Sequence, residues 1–135
     1  MIVGVGTDIV QIARMRAVLA RSGVRFARKV LGPQELAEFE ARSSQHENRA
    51  VHFLAKRFAA KEAFCKALGT GFRAPMSWHG LQIVNDAQGR PEPLYGATLH
   101  EYLASRNWRA HIALSDEAEY ALAFVTLEQF DSARA

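Results

Sequence analysis

The sequence predicts an α+β protein, an antiparallel sheet packed against one long helix. Three observations carry this. A stretch from about Asn48 to Leu68 is rich in Ala, Leu, Lys, Arg and Glu, and Gly69 is its natural stop. Strand-like segments stand near both ends of the chain, beginning with the β-branched, glycine-rich Ile2–Gly6. Helices and strands mix without a regular βαβ alternation, which argues against a parallel sheet. The chain has 135 residues, the size of one domain. We place that domain at residues 1–130 and expect a frayed tail at 131–135.

Each element has a local reason. Ile2–Gly6 reads as a first strand running into Thr7-Asp8. From Ile9 to Ala20, residues Ile9, Ile12, Ala13, Val18 and Leu19 fit a helical face. Ser22-Gly23 interrupts it, and a short segment from Arg25 to Val30 stops at Gly32-Pro33. Pro33 suits the first turn of a helix through Phe39, closed by the polar break Ser43–His46. After the long helix and Pro75, Leu81–Val84 and Pro91–Tyr95 read as strands around a turn at Asp86–Gly89. Thr98 and Glu101 form a capping-box pattern for a helix to Arg106. Arg109–Leu114 and Tyr120–Leu127 are two last strands.

Composition removes several classes. Hydrophobic residues make up 49% and charged residues 23%, an ordinary globular balance. No apolar run is long enough to span a bilayer. The start, MIVGVGTDIV, lacks a basic leader and a cleavage site, and reads as a mature N-terminus. The one cysteine, Cys65, rules out an internal disulfide and fits a reducing cytoplasm. It reads as a small packed side chain in a helix. The five histidines show no zinc spacing, and no Gly-x-Ser-x-Gly elbow or P-loop occurs. His111, in a strand, reads as a satisfied, half-buried residue.

Charge is unevenly placed. No acid lies between Asp8 and Glu35, whereas six cations do: Arg14, Arg16, Arg21, Arg25, Arg28 and Lys29. Such a block is either a solvated helix face or a surface for an acidic partner. Phe26 is its only aromatic, which argues against stacking on nucleic acid.

Two carboxylates stand out. Asp8, after the glycines at 4 and 6 that permit close backbone approach, is either a helix cap or a hard oxygen ligand. Glu62 extends a stripe of Val51, Ala55, Phe58 and Ala59 at helical spacing. A carboxylate there needs a partner: Lys66 one turn on, or a Mg²⁺ shared with Asp8. Arg57 and Lys61, on a neighbouring face, join Lys66 as a possible phosphate cluster.

Three segments taken together carry a resemblance: Gly4-Val5-Gly6-Thr7-Asp8-Ile9-Val10, then Arg57 through Gly71 (RFAAKEAFCKALGTG), then His111-Ile112-Ala113-Leu114-Ser115-Asp116-Glu117. Their order and separation resemble the small, single-domain phosphopantetheinyl transferases, the holo-acyl-carrier-protein synthases. The likeness extends to about Glu128, and the middle segment is the most specific part.

The resemblance implies the phosphopantetheinyl transferase fold and a homotrimer with active sites between protomers. It implies Mg²⁺ held by Asp8 and Glu62, with Lys66 as a third catalytic residue. Coenzyme A falls to Arg57, Lys61, Lys66, Gly69, Thr70, Gly71, His111, Ser115 and Asp116. The acidic acyl carrier protein docks on Arg14, Arg21, Arg25 and Arg28. In the implied reaction the carrier serine attacks the β-phosphorus of coenzyme A and adenosine 3′,5′-bisphosphate leaves. A metal-bound water and Glu62 are both candidates for the base. Gln11 stands where a glutamate is common in the family, and Asp116 where many members have histidine. An aspartate at 116 would repel a phosphate. The competing class is a non-enzymatic basic adaptor, gripping nucleic acid or an acidic protein through Arg14–Lys29; it leaves Glu62 unexplained.

Overall fold

The computed structural model describes residues 1–131. Strand β1 (Ile2–Gln11) leads into helices α1 (Ile12–Ser22), α2 (Val24–Val30), α3 (Pro33–Gln45) and α4 (Glu47–Leu68). A hairpin of β2 (Leu81–Asn85) and β3 (Pro91–Tyr95) follows, then α5 (Ala97–Arg106), β4 (Trp108–Asp116) and β5 (Tyr120–Gln129). The strands form two antiparallel sheets, β1-β5-β4 and β2-β3. The expected tail lies outside the described residues, Asp131 excepted. Among the described residues, no helix is long and apolar enough to cross a membrane.

Small residues set how closely the main sheet meets α4. Gly4, Gly6, Asp8 and Val10 alternate toward the inner face of β1. A Cβ at Gly4 would overlap the Ala67 carbonyl, and one at Gly6 the Ala63 carbonyl. Helix α4 is buried nearly all round by Ala50, Ala55, Ala59, Ala60, Ala63, Phe53, Leu54 and Phe64. It therefore lies at the centre of the core, with the three-stranded sheet on one side and α3 and β2 on another.

Several boundaries differ from expectation, each for a tertiary reason. The first strand does not end at Asp8. It stays paired with β5 through Ile9↔Leu122 to Gln11↔Tyr120, so the first helix starts at Ile12 rather than Ile9. Asp8 is thus a mid-strand residue and caps nothing. The Thr98–Glu101 capping box does not form, because Gly96 is the N-cap of α5 and Thr98 lies inside the helix. Helix α3 continues past Phe39 to Gln45. Its start is held by Gln82, whose Oε1 accepts from Gln34 N at 2.8 Å, and by Glu35, whose Oε1 accepts from Gly32 N at 2.9 Å. Helix α4 ends on Gly69, left-handed at φ 78°, as its sequence requires.

Candidate active site

The close approach of α4 to β1 decides what meets Asp8. Gly4 faces Ala67 and Gly6 faces Ala63, and the next inward position, Asp8, lines one cleft with Glu62. Lys66 arches over it: its Nζ donates to Thr7 O at 2.9 Å and to Asp8 Oδ1 at 3.3 Å. The lysine therefore pairs with Asp8 across the strand–helix contact, not with Glu62 along the helix. The Glu62 carboxyl is held above the usual carboxylate range, first by burial and then by the Asp8 charge, with Lys66 pulling the other way. Two carboxylates on one cleft, with an ammonium drawn in beside one, fit a hard cation. Magnesium is commonly held by one or two carboxylates, with water and substrate phosphates completing its shell.

Asp8 and Glu62 open into a cleft of about 250 Å³ whose walls are Ile9, Val10, Met15, Val18, Phe26 and Phe58, with Arg14 also lining it. Arg21 on α1, and Arg25 and Arg28 on α2, are exposed. Phe26 meets Phe58 at 5.9 Å between ring centroids, Phe58 stacks on Trp78 at 5.5 Å, and Trp78 on Phe72 at 4.0 Å. This ladder joins α2 to the segment after Gly69-Thr70-Gly71, where Gly71 is again left-handed at φ 70°.

Two expected phosphate ligands are elsewhere. Lys61 is 0% exposed, and its ammonium donates to Glu35 Oε1 at 2.6 Å, Val30 O at 2.6 Å and Trp78 O at 2.7 Å. All three of its donors are committed, so it ties the fold together instead of meeting coenzyme A. Arg57 is 2% exposed. It donates to Ile83 O and Asn85 Oδ1 at 3.2 and 3.3 Å, and lies 4.1 Å above the Phe53 ring. It lies five positions before Glu62, about 140° round the helix, so it faces away from the carboxylates.

The remaining residues divide by sheet face. His111 and Ser115 lie on the outer face, opposite Thr126 and Leu122. His111 is more exposed than its sequence suggests; its Nε2 lies 3.0 Å from Glu128 Oε1. It lines a groove of about 620 Å³ between β3 and β4, with Arg90 and Arg109. Asp116 is not bare toward an anion: His52 Nδ1 lies 2.7 Å and Lys56 Nζ 3.5 Å from its carboxylate. These three line another groove, of about 520 Å³, with Arg42 and Arg49. Sequence reasoning missed His52, Lys56 and Glu35. The first two carry no local signal, but a glutamate two residues after Gly32-Pro33 is a helix-start signal that marks Glu35.

A carboxylate pair with an attendant lysine on an α+β frame is an arrangement that can take a hard cation. The chain belongs to the 4′-phosphopantetheinyl transferase superfamily, whose family model matches residues 4–125. It is 51% identical over 128 residues to the holo-[acyl-carrier-protein] synthase of Methylibium petroleiphilum, covering 95% of this chain and 97% of that one. Its fold matches the crystal structure of holo-[acyl-carrier-protein] synthase from Neisseria meningitidis with a TM-score of 0.87 at 43% identity, covering 96% of this chain and 100% of that one. It also matches the Bacillus anthracis holo-(acyl-carrier-protein) synthase in complex with CoA (3′,5′-ADP), with a TM-score of 0.79 at 31% identity, over 96% and 99% of the two chains.

Proposed function

We propose that this protein transfers 4′-phosphopantetheine from coenzyme A to a serine of apo acyl carrier protein, in support of fatty acid biosynthesis. The observation that carries this reading is the Asp8–Glu62–Lys66 cluster set beside an apolar cleft and flanked by exposed arginines. The serine hydroxyl gives up its proton, to Glu62 or to water, as its oxygen forms a bond to the β-phosphorus. The bond from that phosphorus to the bridging oxygen breaks, and adenosine 3′,5′-bisphosphate leaves with the electron pair.

Asp8 and Glu62 would hold Mg²⁺, which offsets charge on the diphosphate when bound. Lys66, 56% exposed at its side chain, is free to swing from Asp8 to a phosphate oxygen. Gly69, Thr70 and Gly71 would shape the nucleotide pocket, since left-handed glycines let a ligand approach the backbone. His111 and Ser115 would serve coenzyme A from the outer sheet face, and Asp116 would act through His52 and Lys56. The carrier protein would dock on Arg14, Arg21, Arg25 and Arg28. A buried free cysteine suits a reducing, cytoplasmic setting.

A trimer with sites between protomers is favoured by two features. The outer face of the sheet exposes Val5, Ile9, Tyr120, Leu122 and Phe124 together, an apolar patch that asks for cover. On one chain this face and the Asp8 side of the sheet point in opposite directions, so a site using both draws on two copies.

The deciding experiment is mass spectrometry of apo acyl carrier protein after incubation with this protein, coenzyme A and Mg²⁺. A gain of one phosphopantetheine is expected. An unchanged carrier mass would leave the basic-adaptor reading standing instead.

A further inference from the structure

Helix α2 is only seven residues long, too short to hold itself in place. It nevertheless carries Arg25 and Arg28 and presents Phe26 to the catalytic cleft. The carbonyls of its last turn need partners, and two side chains supply them. Lys61 Nζ donates to Val30 O at 2.6 Å, and His79 Nε2 donates to Arg28 O at 2.7 Å. A carbonyl only accepts, so that nitrogen of His79 carries the proton. The same Lys61 ammonium grips Trp78 O, next to His79, and Glu35, whose other oxygen accepts from Ile83 N at 2.9 Å. One buried cation thus fastens the end of α2 to the segment before β2 and to α3. Its chain neighbour is Glu62.

We propose that Lys61 and His79 are positioning residues for the carrier protein: by capping the end of α2 they fix the direction in which Arg25 and Arg28 face. Neither touches the substrate. The Lys61 ammonium also sits at the negative end of the helix dipole, which favours the arrangement. The inference rests on the reading of α2 as a docking element. It gives Lys61 a role on the carrier-protein side of the reaction rather than the coenzyme A side.

Steady-state kinetics with each substrate varied separately test it. His79→Ala removes one cap at an exposed position and leaves no buried charge unpaired. Lys61→Met alone would strand Glu35, so it is paired with Glu35→Gln, which keeps an acceptor for Gly32 or Ile83. Circular dichroism establishes that both variants are folded. We expect the carrier-protein KM to rise about fivefold for His79→Ala, the worth of one hydrogen bond, and about tenfold or more for the double variant. The KM for coenzyme A should hold in both. Arg28→Glu is the control for docking. If Arg28→Glu raises the carrier KM and the two cap variants do not, the positioning role is overturned and docking stands. A rise in the coenzyme A KM of the double variant with no change for carrier also overturns it. If Arg28→Glu itself changes nothing, the docking reading fails and takes this inference with it.

Discussion

Asp8 has two neighbours that matter: its charge helps burial hold the Glu62 carboxyl above the usual range, and Lys66 donates to it and to Thr7 O. If Asp8 and Glu62 share Mg²⁺, Asp8→Ala and Glu62→Ala should each lower kcat about 100-fold or more at low Mg²⁺, with unchanged circular dichroism. Near-normal turnover by either variant would break the assignment. Lys66→Ala should slow transfer or weaken coenzyme A binding. A lysine that only pairs with Asp8 at the surface would cost about 0.2–1 kcal/mol in stability and leave kinetics alone. Cys65 gives a contrasting expectation. Burial pushes its thiol up to about 12, with Glu62 adding to the shift. A thiol reagent at pH 8.5 should therefore leave the native protein unlabelled and label it fully in denaturant. Rapid native labelling would mean the helix is not packed as described.

Strand β1 and helix α4 form the element pair on which the site depends, and glycine is what lets them touch. Gly6→Ala would drive a methyl group into the Ala63 carbonyl. It should cost about 1–3 kcal/mol by overpacking and shift Glu62 away from Asp8. We expect a lower melting temperature together with loss of turnover that added Mg²⁺ does not restore. The contact was legible in the sequence, because glycines at 4 and 6 and the alanine run of α4 are local facts. So were the hairpin at Asp86–Gly89 and the Gly69 stop. The start of α1 was not, because pairing of Ile9–Gln11 with Tyr120–Leu122 depends on residues more than 100 positions away. The fate of Lys61 was equally hidden. An i, i+4 pattern of cations looks solvent-facing until Glu35, 26 residues upstream, folds over it. The exposed arginines of α1 and α2 were visible as a charge block. Arg14→Glu or Arg21→Glu should raise the carrier-protein KM about tenfold, roughly 1.4 kcal/mol, most strongly at low salt. An unchanged KM in the double reversal would remove the docking role.

At the scale of the whole molecule, nothing among the described residues covers the outer face of the three-stranded sheet. Ile9 is 62%, Val5 54%, Leu122 45% and Phe124 42% exposed. Light scattering should find a trimer, and Leu122→Glu with Phe124→Glu should give a folded monomer that has lost turnover although Asp8 and Glu62 are intact. A sharper test uses two inactive variants. Glu62→Ala removes a residue of the inner side, and His111→Ala one of the outer face. If each site takes Glu62 from one protomer and His111 from its neighbour, a mixed trimer holds one interface where both are wild type. Equal co-expression makes mixed trimers the majority, and about a quarter of all sites should recover. The mixture should therefore regain about a quarter of wild-type turnover, where each variant alone is dead. If both residues instead served a site within one chain, every chain in the mixture would lack one of them. Mixing would then restore nothing, and the intersubunit site would be excluded.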